Sequence, residues 1–93
     1  CTTMAQVRAG VDALDRELVT LLDRRFGYMR AAARIKPDRE AVRDEPRKAE
    51  VIAGAVAEAE RRGLPTDTIA AIWDVLVEGS IAYELACWDQ TRG

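Results

Sequence analysis

The sequence predicts an all-α fold, a chain of three helices of which the first is long. Three observations favour this fold class. Apolar residues recur three and four positions apart along most of the chain, no segment shows the alternation of a strand, and the few Pro stand at predicted helix ends. A length of 93 residues leaves room for one domain only, which we take as residues 1–93.

The first helix is predicted from about Met4 to Lys36. Its apolar stripe comprises Val7, Val11, Leu14, Leu18, Leu21, Tyr28 and Ala32. Pro37 ends the helix, because the residue before a proline avoids the helical conformation. At ~1.5 Å per residue such a helix is about 45–50 Å long. A chain this small cannot cover that length alone, so we expect part of the stripe to pack on a second copy.

A polar segment, residues 37–43, is predicted as a loop before the second helix. Asp44 as N-cap and Pro46 in the first turn begin that helix, and Gly63 and Pro65 end it. Its inward residues are predicted to be Ala49, Ile52, Ala53, Val56 and Ala59.

The third helix is predicted to begin at Thr66 or Asp67 and to run to about Asp89. Its inward residues are predicted to be Ile69, Ile72, Trp73, Leu76, Val77, Ile81 and Trp88.

Composition argues against several classes of function. The 14 Lys and Arg against 16 Asp and Glu give a net charge of −2, which is unlike a basic nucleic-acid binder. The absence of His excludes an imidazole base and a His metal ligand. Cys1 and Cys87 are expected to be reduced thiols. No apolar run approaches the ~20 residues of a membrane span. We therefore expect a soluble, cytoplasmic protein without a metal or cofactor and without nucleic-acid or membrane partners.

Some charged residues occupy positions at which a helical bundle usually has apolar or acidic residues. Arg25 occupies the apolar stripe of the first helix, and a buried guanidinium is costly unless it is paired or binds an anion. Arg47 and Lys48 occupy the first turn of the second helix, where acidic residues are favoured. A structural ion pair or a snorkelling side chain would also explain Arg25. Arg47 and Lys48 could equally point into water, with Glu45 and Glu50 compensating their charge.

The third helix carries Ser80 and Glu84 one turn apart on one face, near its apolar stripe. A solvated Glu on an amphipathic helix would explain this pair as well. Taken with the cations of the first two helices, however, the pair favours an anionic ligand inside a helical bundle.

The sequence resembles the small all-helical chorismate mutases, three-helix chains that form intertwined homodimers. The resemblance spans residues 7–92 and is carried by the ordered set Arg8, Arg25, Lys36, Asp44-x-x-Arg47 and Ser80-x-x-x-Glu84. The ending Trp88-Asp-Gln-Thr-Arg-Gly, and Arg24-Arg25 with Tyr28, look like the related isochorismate pyruvate-lyases, which share the fold and often carry mutase activity too.

The resemblance implies a site for a small dicarboxylate, chorismate or isochorismate, without cofactor or metal. Arg8 and Arg25 would bind its two carboxylates, Lys36 its ether oxygen with one carboxylate, and Glu84 would face the ether oxygen. The substrate-binding residues would be Asp44, Arg47, Lys48 and Ser80. Because residues 17 positions apart on a straight helix are separated by about 25 Å, Arg8 would have to come from the partner chain.

Two residues depart from the mutase pattern. Many bacterial relatives have Gln where this chain has Glu84, and Glu donates a hydrogen bond only when protonated. Mutase activity is therefore predicted to fall as the pH rises, and Glu84→Gln to flatten the profile. Lys48 stands where many mutases have a Glu that contacts the substrate hydroxyl. The lyases lack that Glu too, so Lys48 leaves the substrate open.

Chorismate mutase is the function that the sequence favours. Asp44-x-x-Arg47 and Ser80 follow the mutases, whereas the C-terminal segment favours isochorismate pyruvate-lyase as the alternative. A non-catalytic helical dimer, such as a regulatory module, is the third reading. Such a module would need the apolar stripes but not Arg25, Lys36 and Arg47 together.

Overall fold

The computed structural model describes residues 2–92, and Cys1 and Gly93 lie outside the described residues. Three α-helices make up most of this range: α1 (Met4–Ile35), α2 (Glu45–Arg61) and α3 (Thr66–Arg92). A 3-10 helix (Arg39–Val42) lies between α1 and α2, and residues 2–92 contain no strand. The predicted all-helical fold is thus confirmed. No helix in this range is long and apolar enough to cross a membrane.

The helix ends follow the predicted signals closely. The Asp44 side chain caps α2 by accepting a hydrogen bond from the Arg47 N–H at 3.0 Å. At the other end Gly63 adopts a left-handed backbone with a φ of 68°. That conformation lets the Leu64 N–H reach back to the Ala59 carbonyl at 2.9 Å, which is the Schellman closure of a helix.

The segment predicted as a loop is more ordered than its polar composition indicated. Residues 39–42 form the 3-10 helix, whose Ala41 N–H donates to the Asp38 carbonyl at 3.1 Å. Val42 is the physical reason, because it is only 4% exposed and packs with Val77 and Ile81 of α3. One apolar residue thus draws the segment into the core.

α3 lies between the other elements and packs against α1, α2 and the 3-10 helix. The predicted inward face of α2 is confirmed in part, because Ile52 and Val56 are half-buried and Ala59 is buried. Ala49 and Ala53 are exposed, and half-buried Val51 and Ala55 lie on the packed side instead. The small Ala side chains are the reason, since many of them give α2 more than one plausible apolar face, and contact with α3 selects one.

The described part of the chain is elongated and measures 54 × 24 × 15 Å, and the first half of α1 is largely exposed. Its predicted stripe is exposed there: Val7, Val11, Leu14, Leu18 and Leu21 are each 40–59% accessible. Further along α1, Tyr28 is 74% exposed, so the prediction that it packs in the apolar stripe is wrong for the single chain. Ala33, in contrast, is fully buried. This chain therefore leaves a long apolar helix face uncovered.

The turn at Gly63 generates a stability prediction. Gly63→Ala should lower the free energy of unfolding by about 1 kcal/mol, because a Cβ disfavours the left-handed backbone. Gly54→Ala, in the interior of α2 with open space around the added Cβ, is the matched control. It should raise the free energy of unfolding by about 0.5–1 kcal/mol. Urea unfolding at one fixed protein concentration measures both, and an unaltered Gly63→Ala protein would contradict the prediction.

Candidate active site

A cavity of about 370 Å³ lies between the second half of α1, the 3-10 helix, the start of α2 and the middle of α3. This volume is in the ~300–1,000 Å³ range of small-molecule sites. Apolar side chains form much of its wall, including Met29, Val51, Val77 and Ile81. Seven of the eight predicted site residues also line it: Arg25, Lys36, Asp44, Arg47, Lys48, Ser80 and Glu84. Arg8 does not line it, since it lies far along α1 from Arg25.

Arg25 reaches the cavity from α1 and contacts a hydroxyl rather than a carboxylate. Its Nη1 donates to Ser80 Oγ at 2.6 Å, and Ser80 Oγ itself donates to the Leu76 carbonyl at 2.7 Å. The single hydroxyl proton of Ser80 is thus committed to the α3 backbone, and its lone pair orients the guanidinium. Burial, and then the nearby charge of Arg47, lower the pKa of Arg25 from its ordinary value. Both effects mean that an anion beside Arg25 would be stabilising.

Lys36 and Glu84, which both line the cavity, form an ion pair. Lys36 Nζ lies 2.7 Å from Glu84 Oε2, and Glu84 is only 4% exposed. The Lys36 ammonium group is the one partner of Glu84 Oε2 among the described residues, and a carboxylate oxygen can accept more than one hydrogen bond. A buried carboxylate oxygen with unused hydrogen-bonding capacity faces a ligand-sized space.

Lys48 is held by acidic side chains that the sequence interpretation did not single out. Its Nζ lies 3.0 Å from Asp74 Oδ1 and 2.7 Å from Glu78 Oε2. Arg43 donates two further hydrogen bonds to Glu78, at 2.8 and 3.1 Å. Asp74 and Glu78 are four residues apart on α3, a spacing that places them on one helix face and could have indicated a cation partner. The charge of Lys48 is therefore largely compensated by α3.

Arg47 lines the outer part of the cavity and also pairs with Glu50 at the surface. Glu50 is one of the two acidic residues that the alternative interpretation predicted to compensate the charges of Arg47 and Lys48 in water. The other, Glu45, pairs instead with Arg43 at 2.7 Å. Arg47 is 65% exposed, so its ion pair with Glu50 is weak and a ligand anion could replace it.

The cavity combines cations with an apolar wall and offers little nucleophilic chemistry. Four cationic side chains line it against the carboxylates of Asp44 and Glu84, so its lining is net positive. The half-buried Cys87 does not line it. Among residues 2–92 no group of three or more His, Cys, Asp or Glu side chains is placed to hold a metal ion. The arrangement is suited to binding and orienting a compact dianion.

Comparison with known proteins agrees with this chemistry. The family described as Chorismate mutase type II matches residues 7–85 of the chain. The chain belongs to the chorismate mutase type II family. The chain is also similar to an isochorismate pyruvate lyase of Pseudomonas aeruginosa. The two are 31% identical over 93 residues, a match that covers all of this chain and 92% of the relative.

The chorismate mutase type II match has a boundary that bears on the site. Residues 7–85 include all eight predicted site residues, from Arg8 to Glu84. The last turns of α3, with Trp88 and Arg92, lie beyond it, although the similarity to the lyase extends over them. The family consists of enzymes that act on chorismate-type substrates. The choice between the mutase and the lyase reaction depends on individual residues of the site.

The ion pairs around Glu78 generate a pH prediction. Hydrogen bonds from Arg43 and then Lys48 lower the pKa of Glu78 from 4.5 to about 2. A carboxyl group with a pKa lowered by folding stabilises the native state above its ordinary pKa, and this contribution is lost as the pH falls towards about 2. Glu78→Gln should therefore lower the urea midpoint at about pH 7, and the difference from the unsubstituted protein should shrink towards about pH 3.

The matched control is Glu60→Gln, because Glu60 is exposed on α2 and forms no ion pair among the described residues. Its urea midpoint should follow that of the unsubstituted protein at every pH. If the urea midpoint of Glu78→Gln stayed below that of the unsubstituted protein by the same amount down to about pH 3, the carboxylate charge would not be what stabilises this cluster.

Proposed function

We propose that this protein is a chorismate mutase, which rearranges chorismate to prephenate in the cavity between α1, α2 and α3. The observation that carries the proposal is the convergence of Arg25, Lys36 and Arg47 on one apolar-walled cavity. A non-catalytic helical module would have no need for that convergence. Chorismate is a dianion, and its cationic partners would come from these side chains.

The reaction would need no group that this cavity lacks. The ether C–O bond of chorismate breaks while a C–C bond forms within the same molecule, so no nucleophile, cofactor or net proton transfer takes part. Catalysis then depends on holding the compact diaxial conformer and on stabilising the negative charge that develops at the ether oxygen. Cations fixed in an apolar cavity supply both effects, because their fields are weakly screened there.

The individual roles follow from the contacts of each side chain. Arg25, held by Ser80, would bind a substrate carboxylate, which assigns Ser80 an orienting role. The expected contact of Ser80 with the carboxylate would require its hydroxyl proton to leave the Leu76 carbonyl. Lys36 would donate to the ether oxygen and one carboxylate, because it lines the cavity and its ammonium group lies beside Glu84. Glu84 would face the ether oxygen and hold Lys36 beside it. Arg47 would bind a carboxylate near the opening, with Asp44 and Lys48 lining the same side.

The remaining cation, Arg8, would come from a second copy of the chain in an intertwined homodimer. Val11, Leu14 and Leu18 are 49–59% exposed, and an antiparallel α1 of a second copy would cover them. The same arrangement would bring Arg8 of the partner subunit towards Arg25. A symmetric dimer would then contain two equivalent sites, each built from both chains.

Isochorismate pyruvate-lyase is the second candidate, in which isochorismate yields salicylate and pyruvate. One observation favours it, because a relative that matches this chain from end to end is such a lyase. Lys48, bound by Asp74 and Glu78, stands where many mutases have the Glu that contacts the substrate hydroxyl, and it leaves the substrate open. The same cations would serve either dianion, so the substrate hydroxyl and the surrounding wall would decide between the reactions.

Assays with both substrates test the proposed function. We expect turnover of chorismate to prephenate, with kcat/KM for isochorismate at least about tenfold lower. Across pH, the ratio of Glu84→Gln to unsubstituted mutase activity should rise with pH, because the amide donates a hydrogen bond at any ordinary pH. Dominant formation of salicylate and pyruvate would favour the lyase, and no turnover of either substrate would favour the non-catalytic module.

A subunit-mixing experiment tests the shared site. Arg8→Ala and Arg25→Ala should each lower kcat/KM at least about 100-fold, since each removes a charged substrate contact. If every site uses Arg8 of one chain and Arg25 of the other, half the sites of a mixed dimer are intact. Equal amounts of the two variants, unfolded and refolded together, should then recover about a quarter of the unsubstituted activity.

The control for mixing is each variant refolded alone, which should stay inactive. A mixture that remains as inactive as its components would contradict a shared site. Sedimentation of the variants shows in parallel that each remains a dimer.

A further inference from the structure

Trp88 and Arg92, in the last turns of α3, contact the end of α1 where Lys36 lies. The Trp88 indole N–H donates to the Lys36 carbonyl at 3.1 Å. Arg92 Nη2 donates to the same carbonyl at 2.7 Å, and Arg92 Nη1 donates to the Ala33 carbonyl at 2.8 Å. The Arg92 guanidinium also lies 4.5 Å from the centre of the Trp88 ring, a cation–π contact that keeps the two donors together.

One of these contacts, from Arg92 to the Ala33 carbonyl, replaces the hydrogen bond that Pro37 removes. In a continuing helix the Ala33 carbonyl would accept from the N–H of residue 37, but proline has none. Ala33 is fully buried, so water cannot reach this residue readily, and an unpaired buried carbonyl is costly. Arg92 supplies the missing donor and places its positive charge at the negative end of the α1 dipole.

These contacts fix the direction in which the main chain leaves α1 at Lys36. Its backbone N–H donates to the Ala32 carbonyl at 2.9 Å, and its carbonyl accepts from both Trp88 and Arg92. Its ammonium group in turn contacts Glu84, one turn before Trp88 on α3. α3 therefore holds both the main chain and the side-chain end of Lys36 although Lys36 already lies beyond the last residue of α1.

We propose that Trp88 and Arg92 are positioning residues that fix the main chain of Lys36 so that its ammonium group stays in the cavity. The inference rests on the proposed function for its effect on catalysis, but its structural part stands on contacts made by two residues outside the family-matched region. Neither side chain lines the cavity, so both act through Lys36. A displacement of about 1 Å in a reacting group can lower a rate about 100-fold, which sets the scale of the expected effect.

The test uses Trp88→Phe, which removes the indole donor but keeps an aromatic ring beside Arg92. We expect kcat to fall about 10- to 100-fold with KM changed less than about threefold, because Arg25 and Arg47 still bind the carboxylates. Arg92→Lys, which keeps the charge but loses the two-pronged donor, should lower kcat in the same direction. The matched control is Gln90→Ala in the same helical turn, exposed and without a side-chain hydrogen bond among the described residues, which should leave both constants unchanged.

A double-mutant cycle separates positioning from general damage to the fold. In a Lys36→Ala background, Trp88→Phe should cause no further loss of kcat, because no ammonium group remains to be misplaced. An equal loss in both backgrounds would show that Trp88 is only structural, and would overturn the proposal. All assays are done well below the thermal midpoint of each variant.

Amide hydrogen exchange makes the inference independent of turnover. Lys36 and Lys48 are the two lysines of the chain, so ¹⁵N-lysine labelling yields two backbone signals. Trp88→Phe should speed exchange of the Lys36 amide about tenfold or more and leave the Lys48 amide unchanged. Unchanged Lys36 exchange would overturn the positioning role even if the enzyme is active. Faster Lys36 exchange in a protein that turns over neither substrate would support the positioning of Lys36 while refuting the proposed function.

Discussion

The arrangement of this chain depends on two polar side chains that α3 buries in its apolar face. Ser80 and Glu84 are each only 4% exposed, and a buried polar group without a partner costs about 1–3 kcal/mol. Arg25 of α1 contacts Ser80, and Lys36, the residue that follows α1, contacts Glu84. Satisfying these two residues places α1 against α3 and, by the same contacts, brings two cations into one cavity.

Much of the backbone was predictable because helix ends are determined by nearby residues. Asp44, Gly63 and Pro37 each act within about one turn, so the sequence pattern was enough to predict the ends of α1 and α2. The buried face of α2 was predictable only in part, because alternating Ala residues allow two apolar faces and only contact with α3 selects one. Val42 shows the same limit, since a lone apolar residue in a polar segment gives no periodicity to detect.

The candidate site was predictable in its residues and less so in its charge balance. Arg25, Ser80 and Glu84 stood out because they break the apolar pattern, and the structure brings them to one cavity. The pairing of Lys48 with Asp74 and Glu78 was missed, because it joins α2 to α3 and depends on how those helices pack. Trp88 was predicted as an inward residue of the third helix, and Arg92 entered only through the family resemblance. Their contacts with the end of α1 were missed, since no periodicity indicates that two side chains hold another helix end.

The division of cations suggests how one fold can serve two related reactions. Lys48 is compensated by α3, whereas Arg25 has no acidic partner among the described residues and is destabilised by the charge of Arg47. In the proposed enzyme the substrate carboxylates would relieve that repulsion, and this part of binding would be the same for any chorismate-like dianion. Discrimination would then depend on the neutral substrate hydroxyl, which in the proposed site would lie near Lys48, a residue that Asp74 and Glu78 already bind. The cationic side chains would thus bind any chorismate-like dianion, and the packing around Lys48 would determine which of these dianions reacts.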